Sequence, residues 1–212
     1  MKTIILTLSA AKDLDTLPRD AREQVEAGLH RYAITGQGGV KALQGCDGYR
    51  LRIGSYRVIF DEDATTILAI YVGRRATTAY KRSQGMSEPQ IIRTPGGEEL
   101  VVLPRAEYEA LRQRADHDAE DAEDAAIYDA RKAGLAAGGV VLPPEVSTAM
   151  LRGDSRLKAI RNWRDETQLH LSSTTGIGQG YLSDLENGRR AGTPETIAKL
   201  AQALDVPVEW LA

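Results

Sequence analysis

The sequence predicts an α+β chain in three parts: a small antiparallel-sheet module over residues 1–85, a helical linker arm over 86–153, and an all-α domain over 154–212. Three observations carry this. Residues 49–60, YRLRIGSYRVIF, set two short apolar and β-branched runs around Gly54-Ser55, the pattern of a hairpin with a two-residue turn. Residues 105–137 are dominated by Ala, Glu, Asp and Arg, a helical composition with little apolar content. Residues 154–212 repeat the signature of short capped helices closed by glycine or restarted by proline.

Taken in order, residues 3–8 (TIILTL) read as a strand and Ser9 as the cap of a short helix. Pro18, Asp20 and Glu23 open a longer helix to about Tyr32, with Val25 and Leu29 on its inner side. Gly36, Gly38 and Gly39 form a loop. In the hairpin that follows, glycine at the first central position suits a type II′ turn. The register is then Ile53 opposite Tyr56, Arg52 opposite Arg57, Leu51 opposite Val58 and Arg50 opposite Ile59. Alternation gives Tyr49, Leu51, Ile53, Tyr56, Val58 and Phe60 one apolar face. Arg50, Arg52 and Arg57 share the other. After a turn at residues 61–64, the nearly continuous apolar run Ile67–Val72 reads as a central strand.

Three guanidinium groups on one sheet face repel one another. A bound polyanion explains them; a solvated sheet face is the plainer account. Arg74-Arg75, Tyr80, Lys81 and Arg82 just past the last strand add to the cluster. The hairpin, the acidic turn, the apolar strand and then GRRATTAY resemble the RelE/ParE toxin superfamily over nearly all of residues 1–82. RelE-type members cut mRNA in the ribosomal decoding site. The resemblance implies that Arg50, Arg52, Arg57 and Arg75 are the catalytic basic residues and that Tyr80 stacks on a base. Attack of a ribose 2′-hydroxyl on the adjacent phosphate needs guanidinium groups that stabilise charge on the phosphate oxygens. RelE itself has lysines at the positions of Arg50 and Arg52, and arginine is a poor general base. The ParE branch, which poisons gyrase, shares the fold but generally lacks this basic set.

Ser83-Gln84-Gly85 and Met86-Ser-Glu-Pro mark a junction, with Met86 placed like a second start codon. Ile91-Ile92-Arg93, Pro95-Gly96-Gly97 and residues 100–103 predict a small hairpin, followed by the helix 105–137. Residues 1–85 hold 13 Lys and Arg against 9 Asp and Glu, a net +4; residues 86–153 hold 7 against 13, a net −6. An acidic arm next to a basic module predicts that the arm folds onto the basic face; the plainer account is a solvated acidic helix. Screening beyond about 8 Å argues that charge alone cannot hold it. The expected apolar anchors are Leu100, Val102, Leu103, Tyr108, Leu111, Ile127 and Tyr128, with the carboxylates between Asp116 and Asp124 secondary.

Pro143-Pro144 opens a short helix through Leu151, and Asp154 or Ser155 caps the next. Thr167 caps a helix that Gly176 closes, another runs from about Gly178 to Glu186, and Thr193-Pro194-Glu195 starts a fourth. Ile160, Leu171, Ile177, Leu182, Leu185, Ile197, Leu200 and Leu204 fall at helical spacing for one core. TQLHLSSTTGIGQGYLSDLENGRR and the following PETIAKLAQALDV resemble the Xre-type helix-turn-helix family over residues 156–211. The resemblance places the second helix of the motif in a DNA major groove. Family positions for base contact fall on Gln179, Gly180 and Asp184, with Tyr181 and Ser183 beside them. Gln168 and Asn187 match phosphate-contacting positions, with Arg189 and Arg190 as helpers. Gly178 replaces the usual serine cap, Ser172 an alanine, and Asp165-Glu166 a common Gly-Leu.

The single cysteine, Cys46, excludes an intrachain disulfide framework and fits a small buried apolar role in a reducing, cytoplasmic setting. No apolar run approaches the roughly 18 residues of a membrane span. A RelE-like module followed by an Xre-type one is the gene order of HigBA-like toxin–antitoxin pairs, here in one polypeptide. Met86 leaves open a natural fusion, an engineered one, or two chains numbered continuously. One functional reading is an mRNA endonuclease neutralised by the arm, with a DNA-binding domain that autoregulates transcription. The other is a transcriptional regulator whose basic module is non-catalytic, or a ParE-like gyrase inhibitor. The expected partners are operator DNA, ribosome-bound mRNA, a toxin–antitoxin contact within or between chains, and a second copy in a homodimer or higher oligomer. No membrane, cofactor or metal is expected.

Overall fold

In the computed structural model, which describes residues 1–74, 90–94 and 96–212, residues 49–60 form the hairpin β3 (Tyr49–Ile53) and β4 (Tyr56–Glu62). Its register pairs Ile53 with Tyr56, Arg52 with Arg57, Leu51 with Val58 and Arg50 with Ile59. Gly54 has φ +58° and Ser55 does not share the left-handed region, which is the requirement of a type II′ turn rather than type I′. The hairpin sits in a five-stranded sheet of order β1-β5-β4-β3-β2. Here β1 is Thr3–Leu6, β2 is Gly39–Ala42 and β5 is Thr66–Arg74. β1 runs parallel to β5 and the other neighbours are antiparallel, so β5 takes the interior place its apolar run predicts.

Helices α1 (Leu8–Asp15) and α2 (Arg19–Thr35) pack on the apolar face, where Leu6, Leu14, Val25, Leu29, Leu51, Val58 and Phe60 are buried. The α2–sheet packing is close: a Cβ on Gly28 would lie 2.6 Å from Ile53. Two local differences from the sequence reading stand out. The cap of α1 is Thr7, whose hydroxyl accepts from the Ala10 amide at 3.1 Å, so the first strand ends at Leu6. The glycine loop at residue 39 is the start of strand β2, whose Gly39 to Ala42 pair with Arg52 to Tyr49.

The small hairpin β6 (Gln90–Arg93) and β7 (Glu99–Val102) forms a separate two-stranded sheet. Helix α3 (Arg105–Ala136) follows and crosses the other face of the main sheet with its C-terminal half. Between them lies a second, smaller core of Leu43, Ile59, Ile70 and Tyr128, with Cys46 half-buried beside it. Gly48 makes room for this contact, because a Cβ there would meet the Tyr128 ring at 2.5 Å.

Past α3 the chain returns to β1. The Leu142 amide donates to the Leu6 carbonyl at 3.0 Å and the Leu8 amide to the Val140 carbonyl at 2.8 Å. In α4 (Pro144–Leu151) the Ser147 hydroxyl accepts from the Leu6 amide, also at 3.0 Å. Val146, Met150 and Leu151 continue the main core into the C-terminal helices, where Ile160, Leu171, Leu182, Leu200 and Leu204 are buried in the same cluster. Those helices are α5 (Arg156–Trp163), α6 (Gln168–Thr175), α7 (Gln179–Glu186) and α8 (Pro194–Ala203), followed by a 3₁₀ turn at Val208–Trp210. Among the described residues no helix is long and apolar enough to cross a membrane.

Candidate nucleic-acid interface

Helices α6 and α7 are set by their ends. The Thr167 hydroxyl accepts from the His170 amide at 3.0 Å, and Gly176 closes α6 at φ +70°, a conformation that favours glycine. The Ser155 hydroxyl caps α5. Leu171 on α6 and Leu182 and Leu185 on α7 point into the core. A buried ion pair ties the motif together from behind: Arg161 Nε meets Glu186 Oε1 at 2.5 Å, and Arg161 Nη1 donates to the Glu166 carbonyl at 2.6 Å. Glu186 also accepts from the Gln168 amide at 2.7 Å. Gln168, expected at the phosphate backbone, is thus held by the motif's own interior.

The outer side of α7 presents Gln179 and Gly180, both exposed, at its N-terminus. A Cβ at Gly180 would meet nothing within 4 Å, so this stretch of helix is open to a close approach. Asp184 sits half-buried between Arg189 at 2.7 Å and Arg190 at 3.4 Å. The Asn187 amide donates back to the Ser183 carbonyl at 2.7 Å, and the Arg190 guanidinium lies 5.7 Å over the Tyr181 ring. Gln179, Gly180, Tyr181, Ser183, Asp184, Asn187, Arg189 and Arg190 therefore lie on one continuous surface, with Gln168 tucked under its edge. The two cations at this surface are paired with Asp184, and a polyanion would have to draw them off it.

The second basic surface is the far face of the sheet, which α3 covers. Arg50 Nη1 meets Asp121 Oδ1 at 2.8 Å and Asp124 Oδ2 at 2.6 Å. Arg57 Nη1 lies 2.8 Å from Asp124 Oδ1 and its Nη2 3.0 Å from Glu123 Oε1. Arg52 Nη2 meets Glu120 Oε2 at 2.8 Å, and Lys41, on a strand the sequence does not announce, pairs with Asp121. Arg50, Arg57 and Asp124 are buried. Burial lowers the Arg57 pKa, but the hydrogen bond it donates to Glu123 and the charges of Asp124 and Glu123 reverse this and raise it. Burial pushes Asp121 up, and the hydrogen bonds from Lys41 and Arg50 overcome it, leaving its pKa lowered. For Asp124 burial wins over Arg50 and Arg57 and the pKa is raised. Among the described residues, Arg50 Nε and Arg57 Nε are buried without a hydrogen-bond partner.

Arg50, Arg52 and Arg57 are brought together on one face; Arg75 and Tyr80 lie outside the described residues. The apolar anchors are placed differently from expectation. Leu100, Val102, Tyr108 and Leu111 are exposed, Leu103 is half-buried, and only Ile127 and Tyr128 join the small core under α3. Tyr128 also donates to Asp61 at 2.7 Å, which pushes the phenol pKa up along with burial, and Lys132 pairs with Asp61. Arg131 reaches Asp13 at 2.9 Å. The carboxylates are therefore central to the contact rather than secondary. Screening weakens separated, solvated charges, and the pairs that Arg50 and Arg57 make with Asp121 and Asp124 are in direct contact and out of water.

Residues 157–211 match the Helix-turn-helix family. The chain is 40% identical over 57 residues to the HTH-type transcriptional repressor RghR of Bacillus subtilis (strain 168), across 26% of this chain and 42% of that protein. The match thus spans less than half of that relative's length. No solved structure matches.

Proposed function

We propose that the protein is a DNA-binding transcriptional regulator that reads a palindromic operator as a dimer. The observation that carries this is the α6–turn–α7 unit, buried on one side by Leu171, Leu182 and Leu185 and presenting Gln179 and Gly180 outward, within a stretch that matches the Helix-turn-helix family. Similarity to a repressor adds to it. Helix-turn-helix dimers place two such helices about one DNA turn apart, so a two-fold arrangement of the chain belongs to the reading. Selection of a preferred duplex from a random pool, then titration of that duplex and a scrambled one at two salt concentrations, tests it. Discrimination of the preferred sequence is expected; equal affinity for both sinks the reading.

The arginine face supports a second component. Arg50, Arg52 and Arg57 resemble the basic set of RelE-type toxins, and the acids that occupy them come from α3. In this reading the N-terminal module is an mRNA endonuclease held closed by the chain's own helix, with ribosome-bound mRNA as its substrate. Asp124 and Asp121 take the place that substrate phosphates would take at Arg50 and Arg57. A Tyr128→Asp chain should arrest bacterial growth, with new mRNA 5′ ends, while the unaltered chain does not. Growth without new ends leaves the module a non-catalytic part of the regulator; growth arrest with gyrase-dependent DNA breaks instead favours the ParE-like alternative.

A further inference from the structure

The small hairpin has no core of its own. Ile91 faces Val101 across the ladder and Ile92 faces Leu100. Alternation therefore sets Ile91 and Val101 on one face, closed by the 2.6 Å pair of Arg93 with Glu99, and Ile92, Leu100 and Val102 on the other. All five apolar side chains are 46–64% exposed. On the first turns of α3, next along the chain, Tyr108 and Leu111 stand three residues apart and are both about half exposed. Among the described residues α3 buries nothing before Glu120.

We propose that this hairpin, with the start of α3, is where a second copy of the chain docks about a two-fold axis. A lone two-stranded hairpin is marginal in water and needs further strands or a packed face. Both outer edges, of β6 and of β7, are unpaired among the described residues and can extend the ladder across the axis. The charge fits a copy of itself better than a polyanion. Residues 90–112 hold three arginines against four glutamates, and Arg93–Glu99 and Arg105–Glu109 are already matched pairs. An isologous contact needs such a near-neutral, self-complementary patch. One apolar face of the hairpin, one ladder edge and the exposed side chains of the first turns of α3 give a two-fold contact its area, of the kind a standard interface of roughly 800 Å² per partner uses.

Sedimentation of the full chain over a concentration series tests this directly, beside an Ile92→Glu/Leu100→Glu chain. The unaltered chain is expected to dimerise in the micromolar range, and the double substitution to weaken that dimer at least about 100-fold. Hydrogen exchange of amides 91–102 in the unaltered chain, above and below the dimer threshold, gives a second readout should the variant misfold. Slowed exchange in the dimer alone supports the proposal. A monomer at every concentration, a dimer indifferent to both substitutions, or equal protection in the monomer overturns it, the last because the chain would then cover the hairpin itself. Neither readout contains DNA, so a failure of operator binding leaves the docking surface standing, and a monomer that still reads an operator overturns the docking surface and the dimeric part of the proposed function while DNA binding stands.

Discussion

Asp124 is the residue on which closure of α3 turns, and replacing it with asparagine isolates its charge. The side chain is wholly buried between Arg50 at 2.6 Å and Arg57 at 2.8 Å. Asparagine keeps the volume and leaves two guanidinium groups facing a neutral amide. Removing one partner from a buried charge network costs about 3–5 kcal/mol. Arg50 keeps Asp121 and Arg57 keeps Glu123, which points to the lower end, about 3 kcal/mol. With a urea slope of about 2–3 kcal/mol/M for a protein of this size, the midpoint should fall by about 1–1.5 M. Glu123→Gln is the internal control. It faces the same Arg57 but is half exposed, so its loss should cost under about 1 kcal/mol. Both tryptophans, Trp163 and Trp210, stack on each other in the C-terminal helices. Tryptophan fluorescence therefore follows that domain, while far-UV circular dichroism also registers α3. If the Asp124→Asn midpoint by circular dichroism matches that of Glu123→Gln, burial does not amplify this charge and the account of the closed face is wrong.

Other outcomes follow from the same geometry. Tyr128→Asp should release α3 from the sheet and raise exchange of the amides of residues 120–136, whereas Leu111→Asp, on an exposed turn far from the sheet, should leave exchange of those amides unchanged; equal effects would mean the anchor lies elsewhere. Gly180→Ala should raise thermal stability by about 0.5–1 kcal/mol, since the added methyl meets nothing and glycine is a poor helix former; a loss of stability would show that the site is not open. Gln179→Ala should relax sequence preference at one base pair by about 1–3 kcal/mol, while Arg189→Ala should weaken all duplexes alike and flatten the salt dependence, as titrations at two salt concentrations would separate. Asp121 has its pKa lowered in the folded chain, so its contribution is full above the unfolded value of about 3.9 and fades as pH falls through the lowered one. Thermal scans between pH 5 and pH 3 should accordingly show less acid destabilisation in Asp121→Asn, and identical slopes would remove Asp121 from the acid response.

The hairpin register, the interior place of β5 and the helix ends at Thr167, Gly176 and Thr193 were legible because each is fixed by local chemistry: a two-residue turn, an apolar run, a cap. Strand β2 was not, since residues 39–42 carry no strand pattern and are extended only because β3 offers them an edge. For the same reason Lys41 was missed from the basic face. The anchors of α3 were misplaced because hydrophobicity marks what can be buried and not where: Leu111 and Tyr128 read alike in sequence, yet only the second lies over Gly48. Gln168 likewise reads as a surface residue until Glu186 is found behind it.

The distance along the chain between the arginine face and its cover has a consequence for synthesis. The sheet is complete when β5 ends at Arg74, and the acid that seals it is Asp124, 50 residues later. At about 5–20 residues per second, a ribosome needs roughly 3–10 s to make that stretch. For those seconds Arg50, Arg52 and Arg57 are made but the acids of α3 that pair with them are not, so the order of the chain, basic module first and acidic helix second, sets a brief interval in each round of translation before α3 can close.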